Sequence, residues 1–191
     1  STLSSSSAAS DVYKRQALER EDDRILYLMQ DMREFEPGEK VSAVVSACDS
    51  INYILEPEDL QAVFFCVSES LKEGGIFIFD INTQYKYEVL MADNTIAENR
   101  DEGSFIWDNY YDADEKINEY DLTLFIKEQS EDEDDIYKKF EETHFQRCYE
   151  ISELKELLEQ SGLVFDAVYD AYTDDQVKCD SEKVTVIAHK A

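Results

Sequence analysis

The chain has 191 residues, of which 43% are hydrophobic, so it can build one domain with a substantial core. Its formal net charge of -27 disfavours nucleic acids and anionic membranes as partners, because phosphate groups would be repelled. No apolar run approaches the ~20 residues of a membrane-spanning helix. The four cysteines form no CxxC pair and no secretory signal precedes them, so we expect a cytoplasmic protein with reduced thiols and no metal site.

The first segment, STLSSSSAASDVYKRQ at residues 1–16, is serine-rich and has no helical or strand period. It also lacks the apolar centre of a secretory signal. We interpret it as a non-native or disordered leader and expect the domain to occupy residues 17–191.

A strand–helix–strand unit is predicted next. Residues 24–31, RILYLMQD, indicate a strand that ends at Asp31, and residues 41–50 indicate a second strand. A helix should follow, with Pro57 in its first turn and Gly74 as its left-handed stop. Residues 76–81, IFIFDI, are apolar on both faces, which is typical of an inner strand of a parallel sheet covered by helices.

The middle of the chain changes to long aromatic segments with the two-residue period of antiparallel strands. Three such strands are predicted at 104–112, 116–128 and 136–150, with the acidic stretch 130–135 as a turn. We interpret 104–150 as an antiparallel insertion that forms a lid over the parallel sheet.

The α/β pattern then resumes. Ser152 can cap a helix that ends at Gly162, and strands at 163–172 and 183–190 should pair antiparallel because the loop between them is too short for a crossover helix. Ligands of open α/β sheets bind beyond the carboxyl ends of the strands. The polar groups expected at that rim are Asp31, Cys48, Asp49, Ser50, Asp80 and Asn82.

This order of elements resembles the class I S-adenosylmethionine-dependent methyltransferases, in particular small-molecule enzymes with an antiparallel lid insertion. The resemblance covers residues 17–191 and is carried by segments whose order and spacing match, rather than by one specific motif. These segments are QDMREF (30–35), CDSINYI (48–54), LKEGGIFIFDIN (71–82), the aromatic strands, HFQRCYEISELKELLEQSGL (144–163) and the final strand pair.

The resemblance implies a partial Rossmann-like methyltransferase sheet, S-adenosylmethionine as cofactor, and methyl transfer to a small-molecule acceptor. It implies that Asp31 accepts from the adenine amino group and that Met32 packs on the ring. Cys48, Asp49 and Ser50 would complete the cofactor contacts. Substrate contacts would come from Asn52, Tyr53, Asp80, Asn82, His144 and Arg147, the last two because an imidazole or guanidinium facing the rim can orient an anionic or protic substrate.

The sequence also departs from the family. It contains no Gly-x-Gly, whereas the family has a glycine-rich cofactor loop after its first strand. The chain therefore looks like an N-terminally truncated methyltransferase, and the strand at 24–30 should either pair with the strand at 41–48 or stay loosely held. No catalytic residue is assigned, since methyl transfer works mainly by aligning donor and acceptor.

Other interpretations remain open. The chain could be a non-enzymatic fragment or a module that binds a partner through an exposed sheet edge, and a nicotinamide-binding domain is a weaker option. Asp31, Asp49 and Asp80 could be simple turn formers, and Cys48 a small packing residue. The sequence does not indicate an oligomeric state.

Overall fold

The computed structural model describes residues 25–128 and 135–191. Its first sheet contains β1 (Val41–Ser46), β2 (Leu71–Asn82), β8 (Lys183–Lys190) and β7 (Leu163–Asp170), side by side in that order. β1 and β2 run parallel, whereas β8 is antiparallel to both β2 and β7. The predicted α/β class, the strand–helix–strand unit and the antiparallel closing pair are confirmed.

The core lies between this sheet and two helices, α1 (Pro57–Ser70) and α2 (Ile151–Gln160). Alternation along β2 places Phe77 and Phe79 on the helix side, where both are fully buried and stack on each other with ring centroids 4.8 Å apart. Phe64 of α1 completes this aromatic cluster. The opposite face is less covered than predicted, since Ile76 is 44% exposed and both described α-helices pack on the Phe77 side.

Two predicted helix signals act differently from expectation. α1 ends at Ser70, and Gly74, with a φ of 69°, lies in an irregularity of β2 where the pairing with β1 skips from Leu71 to Ile76. Ser152 is the second residue of α2 and is not its cap. Glu150 holds the cap position with extended backbone and no side-chain bond. Gly162 follows α2 with a φ of 79°, as expected for a left-handed stop.

The second sheet is antiparallel throughout and follows chain order. Its strands are β3 (Thr95–Arg100), β4 (Gly103–Asp112), β5 (Ile117–Glu128) and β6 (Ile136–Arg147). Three of the four were predicted. The turn expected at 130–135 lies, except for Asp135, outside the described residues, as does the segment 1–16.

The strand predicted at 24–31 is wrong for its described part. Residues 25–31 form no strand, and β1 pairs only with β2 among the described strands. Ile25, Leu26, Tyr27, Leu28 and Met29 are all exposed. A strand needs a ladder partner for its backbone groups, and without one this segment leaves them to solvent. No helix in the described ranges has the length and apolarity to cross a membrane.

Candidate active site at the carboxyl ends of the strands

The polar ends of the parallel neighbours β1 and β2 meet, as predicted. Cys48 and Asp49, just beyond β1, have φ values of 61° and 50°, so the chain bends through the left-handed region. The bend is held from β2, because the Asp49 backbone N–H donates to Asp80 Oδ2 over 3.1 Å. Such backbone costs roughly 1–2 kcal/mol per non-glycine residue, so its presence here marks a rim that other contacts stabilise.

Lys183 joins the two carboxylates. Its Nζ lies 2.8 Å from Asp49 Oδ1 and 2.9 Å from Asp80 Oδ2. Burial alone would lower the pKa of Lys183, but its bonds to both carboxylates raise that pKa above the ordinary value. Burial would likewise raise the pKa of Asp49, but bonds from Lys183 and Gln146 bring it below the ordinary value. Lys183 and Asp49 are therefore both ionised at neutral pH.

A buried amide network ties the second sheet to this rim. The Asn82 N–H donates to Asn52 Oδ1 over 3.0 Å, and Asn52 Nδ2 donates to the Arg147 carbonyl over 2.8 Å. Gln146 Nε2 donates to Asp49 Oδ2 over 2.7 Å, and Asn82 Nδ2 approaches the same oxygen at 3.3 Å. The end of β6 is therefore fixed against the tips of β1 and β2.

Two further side chains reach the cluster, Lys86 from the start of the short π-helix Lys86–Met91 and Tyr172 from the loop after β7. Lys86 Nζ donates to Asn82 Oδ1 over 3.0 Å, and burial together with the nearby charge of Lys183 lowers its pKa. The Tyr172 hydroxyl donates to Asp80 Oδ2 over 2.8 Å. Asp80 Oδ1 is buried and has no hydrogen-bond partner among the described residues, so this carboxylate keeps one acceptor uncommitted.

Beside the rim lies a cavity of about 330 Å³ on the apolar side of β1. Two residues predicted to bind the cofactor, Met32 and Ser50, line it together with Phe35 and Ala47. Asp31 does not join the cluster of Asp49 and Asp80.

The carboxylate of Asp31 bonds to Arg33 with an N–O distance of 2.8 Å, and Arg33 also reaches Asp59. The Arg33 bonds lower the pKa of Asp31 from 3.8 to about 2. Asp31 therefore lies in a surface ion pair rather than in the rim network.

The inner face of the second sheet presents an aromatic group. Directly paired residues of antiparallel strands share a face, so Tyr120 and His144 lie on the face of Gln146. The His144 ring stacks on Tyr120 with centroids 4.9 Å apart and meets the edge of Tyr53 at 5.9 Å. The hydroxyls of Tyr53 and Tyr120 hydrogen-bond to each other.

Arg147 is separated from His144, contrary to the grouping predicted for them. Neighbouring residues of a strand point to opposite faces, so Arg147 leaves the face that carries Gln146. Its guanidinium bonds to the Leu55 carbonyl and to Glu153, each over 3.3 Å, and lies 5.3 Å from the Tyr149 ring. These contacts join β6 to the segment before α1 and to α2.

Comparison with known proteins identifies the family. The chain is 32% identical over 168 residues to a Bacillus subtilis (strain 168) protein named "Putative methyltransferase YqeM", covering 87% of this chain and 66% of that protein. A crystal structure of an S-adenosylmethionine-dependent methyltransferase from Clostridium acetobutylicum ATCC 824 superposes with a TM-score of 0.81 and 26% identity, covering 99% of this chain and 73% of that one. The chain belongs to the class I methyltransferases. No family model matches it.

A second solved structure shows how far the fold likeness extends. The sugar N-methyltransferase KedS8 from Streptoalloteichus sp ATCC 53650 superposes with a TM-score of 0.70 at 12% identity, covering 92% of this chain and 66% of that one. At that identity the likeness concerns the fold alone. The strand order β1-β2-β8-β7, a parallel pair followed by an antiparallel closing pair, agrees with the partial Rossmann-like sheet that the resemblance implies.

Sequence reasoning missed several members of this methyltransferase rim. The missed residues that bond to the predicted ones are Lys86, Tyr87, Gln146, Tyr172 and Lys183. A signal was present for Lys183, because an antiparallel strand beside β2 brings its first residue to the carboxyl end of β2, opposite Asn82. Tyr172 follows a strand end and gives no pattern that would reveal its partner.

Proposed function

We propose that this chain carries out S-adenosylmethionine-dependent methyl transfer to a small-molecule acceptor. The observation that carries the proposal is the rim in which Asp49, Asp80 and Lys183 converge beneath the second sheet. It lies where ligands of open α/β sheets bind. The similarity to methyltransferases supports the same activity, and the chain spans 66% of the length of each of two curated relatives that it matches.

The residues present fit the cofactor at its heterocyclic end. The cavity of about 330 Å³ has room for a planar ring, and Met32 and Ser50 stand on its walls. The bend at Cys48–Asp49 lies in the chain between Ala47 and Ser50, which line the cavity, and Asp49 offers a negative carboxylate to a ligand that carries a sulfonium and an ammonium group. The cofactor supplies the methyl group as a sulfonium substituent. We assign Met32, Cys48, Asp49 and Ser50 as its contacts, with Asp31 next to Met32 at the margin.

The acceptor would lie between the rim and the inner face of the second sheet. Asn52, Asp80 and Asn82 form the floor of this space, and Tyr53 and His144 form its aromatic side. Arg147 supports the arrangement through its carbonyl bond to Asn52. The net charge of -27 favours a small uncharged or cationic acceptor over a nucleic acid.

Isothermal titration with S-adenosylmethionine tests the cofactor assignment. Asp49→Asn removes the charge beside the proposed sulfonium site and should weaken binding about 10-fold or more, since hydrogen bonds to charged groups contribute about 1.5–3 kcal/mol. Asp166→Asn, at an exposed carboxylate that bonds to His189, is the matched control and should bind as the parent does.

Two results would count against the proposal. A parent chain that does not bind S-adenosylmethionine contradicts cofactor use by this chain. Equal affinity of the Asp49→Asn and Asp166→Asn variants contradicts the role of Asp49. Thermal unfolding of each variant, measured beside the titration, separates lost binding from lost folding.

A further inference from the structure

A carboxylate–imidazole pair stands on the inner face of β6. His144 Nε2 lies 3.1 Å from Glu142 Oε2, and the two residues share a face because they are two positions apart on one strand. An ionised carboxylate can only accept a hydrogen bond, so the neutral ring must place its proton on Nε2. The lone pair of the neutral ring is then on Nδ1, which makes no hydrogen bond to the described residues.

The same face carries buried polar groups that are not committed to other contacts. Trp107 Nε1, Asn109 Oδ1 and both amide atoms of Asn118 are buried and have no hydrogen-bond partner among the described residues. By register, these three residues share the face of Tyr120 and His144. A buried polar group without a hydrogen-bond partner is costly, so this face favours a ligand rich in hydrogen-bonding groups.

The pair is also placed at a suitable distance from the rim. Gln146, which binds Asp49, is two residues beyond His144 on β6, so their backbones are separated by about 7 Å. Tyr53 bridges the two regions, since it follows Asn52 in the short 3-10 helix Ser50–Tyr53 after β1 and its ring meets His144. A small acceptor that contacts His144 would therefore lie next to the rim assigned to the cofactor.

We propose that His144 is the catalytic base of this methyltransferase and that its acceptor is an amine or a hydroxyl, with Glu142 as the positioning residue. The inference rests on the proposed function and adds the acceptor class and the path of the proton. A nucleophile of this class carries a proton that must leave. Acceptors without such a proton, such as carboxylates, would not need the pair.

The step balances without a further reactant. The acceptor lone pair forms a bond to the methyl carbon while the carbon–sulfur bond breaks, and that electron pair returns to sulfur to give a neutral thioether. The acceptor N–H or O–H proton moves to Nδ1 of His144, and the imidazolium is held by the Glu142 carboxylate. Proton transfer to solvent then restores the neutral ring.

Diethyl pyrocarbonate tests the base without any acceptor, because it acylates an accessible neutral imidazole. The chain has two histidines, so a His189→Gln background leaves only His144. We expect His144 to react readily and Glu142→Gln to slow that reaction severalfold, with Glu142→Asp retaining most of the rate. The matched control is Glu141→Gln, at an exposed residue of the opposite face that bonds to Lys139.

An unreactive His144 overturns its role as base, and an unchanged rate in Glu142→Gln overturns the role of Glu142. These readings do not depend on cofactor binding, so they remain distinct from failure of the proposed function.

Turnover is measured with S-adenosylmethionine and D-glucosamine, benzylamine, benzyl alcohol or benzoate. His144→Gln should lower turnover of an amine or alcohol by about 10²–10⁴-fold with cofactor affinity retained. Methylation of benzoate alone refutes the acceptor class.

Discussion

Lys183→Met should be among the most destabilising single changes at the rim. The lysine side chain is 17% exposed, and its single positive charge pairs with both Asp49, at 24% exposure, and Asp80, at 3%. Removing it leaves two carboxylates near each other, one of them almost completely buried. Breaking a buried ion pair by removing one partner costs about 3–5 kcal/mol. In a chain of this size that corresponds to a fall in Tm of about 6–20 °C.

The assay is urea unfolding monitored by circular dichroism, with Lys183→Met compared with the double variant Asp80→Asn/Lys183→Met. The second change removes the stranded charge, and the oxygen of the introduced amide can still accept from the Asp49 N–H. We expect it to restore at least half of the lost stability. A loss below about 1 kcal/mol in the single variant would show that the bridge behaves as a surface pair. A double variant no more stable than the single one would show that charge compensation is not the cause.

The bridge also has a pH signature. The pKa of Lys183 is raised on folding. Its contribution to folding stability is therefore complete below the ordinary pKa of lysine and is lost as the pH rises through the pKa of the folded state. The pKa of Asp49 is lowered on folding. Its contribution to folding stability is therefore present above the ordinary pKa of aspartate and is lost as the pH falls through the pKa of the folded state. Stability should therefore be flat around neutral pH and fall at both extremes.

Two further predictions concern the core and the surface ion pair. Phe64→Ala should cost about 3–5 kcal/mol of unfolding free energy. The side chain of Phe65 is 58% exposed, so Phe65→Ala should change that free energy by no more than about 0.5 kcal/mol. Similar losses for the two variants in denaturant unfolding would contradict the assigned core. Arg33→Met should raise the pKa of Asp31 from about 2 towards 3.8 in an NMR titration, and an unchanged value would refute the pairing. Because Asp31 is 39% exposed, its ion pair with Arg33 adds little stability. This small contribution to stability is present above the ordinary pKa of Asp31 and disappears as the pH falls towards 2.

Periodicity was sufficient for the elements that bury a continuous apolar face. The run that is apolar on both faces predicted β2, although the strand begins at Leu71 rather than at residue 76. The helix predicted after Pro57 also formed, although α1 ends at Ser70 and not at Gly74. β3 was missed because TIAENR is polar and every residue of it is exposed, so packing imposes no pattern on its sequence. The apolar run at residues 25–29 gave a false strand because strand formation depends on a neighbour as well as on composition.

The candidate site was predictable only in part, for a related reason. Asp49, Asp80 and Asn82 follow strand ends, and parallel strands bring such ends to one rim. Their charge partner Lys183 begins the strand that pairs antiparallel with β2, so its position followed from the predicted closing pair. Their amide partner Gln146 comes from the second sheet, and nothing in local spacing indicates how two sheets approach each other. Arg147 shows the converse error, because one position along β6 decides which face a side chain occupies.

Because one position decides the face of a side chain, β6 fixes both the spacing and the orientation of the groups that it carries. Gln146 and His144 are held on one rigid strand whose pairing with β5 runs without a break from Ile117 opposite Arg147 to Glu128 opposite Ile136. Substitutions at Gln146 or His144 can change the side chain and still leave the spacing between the two binding regions unchanged. Deletion of one residue inside β6 would instead shift the strand register by one position and turn every side chain beyond the deletion to the opposite face of the sheet.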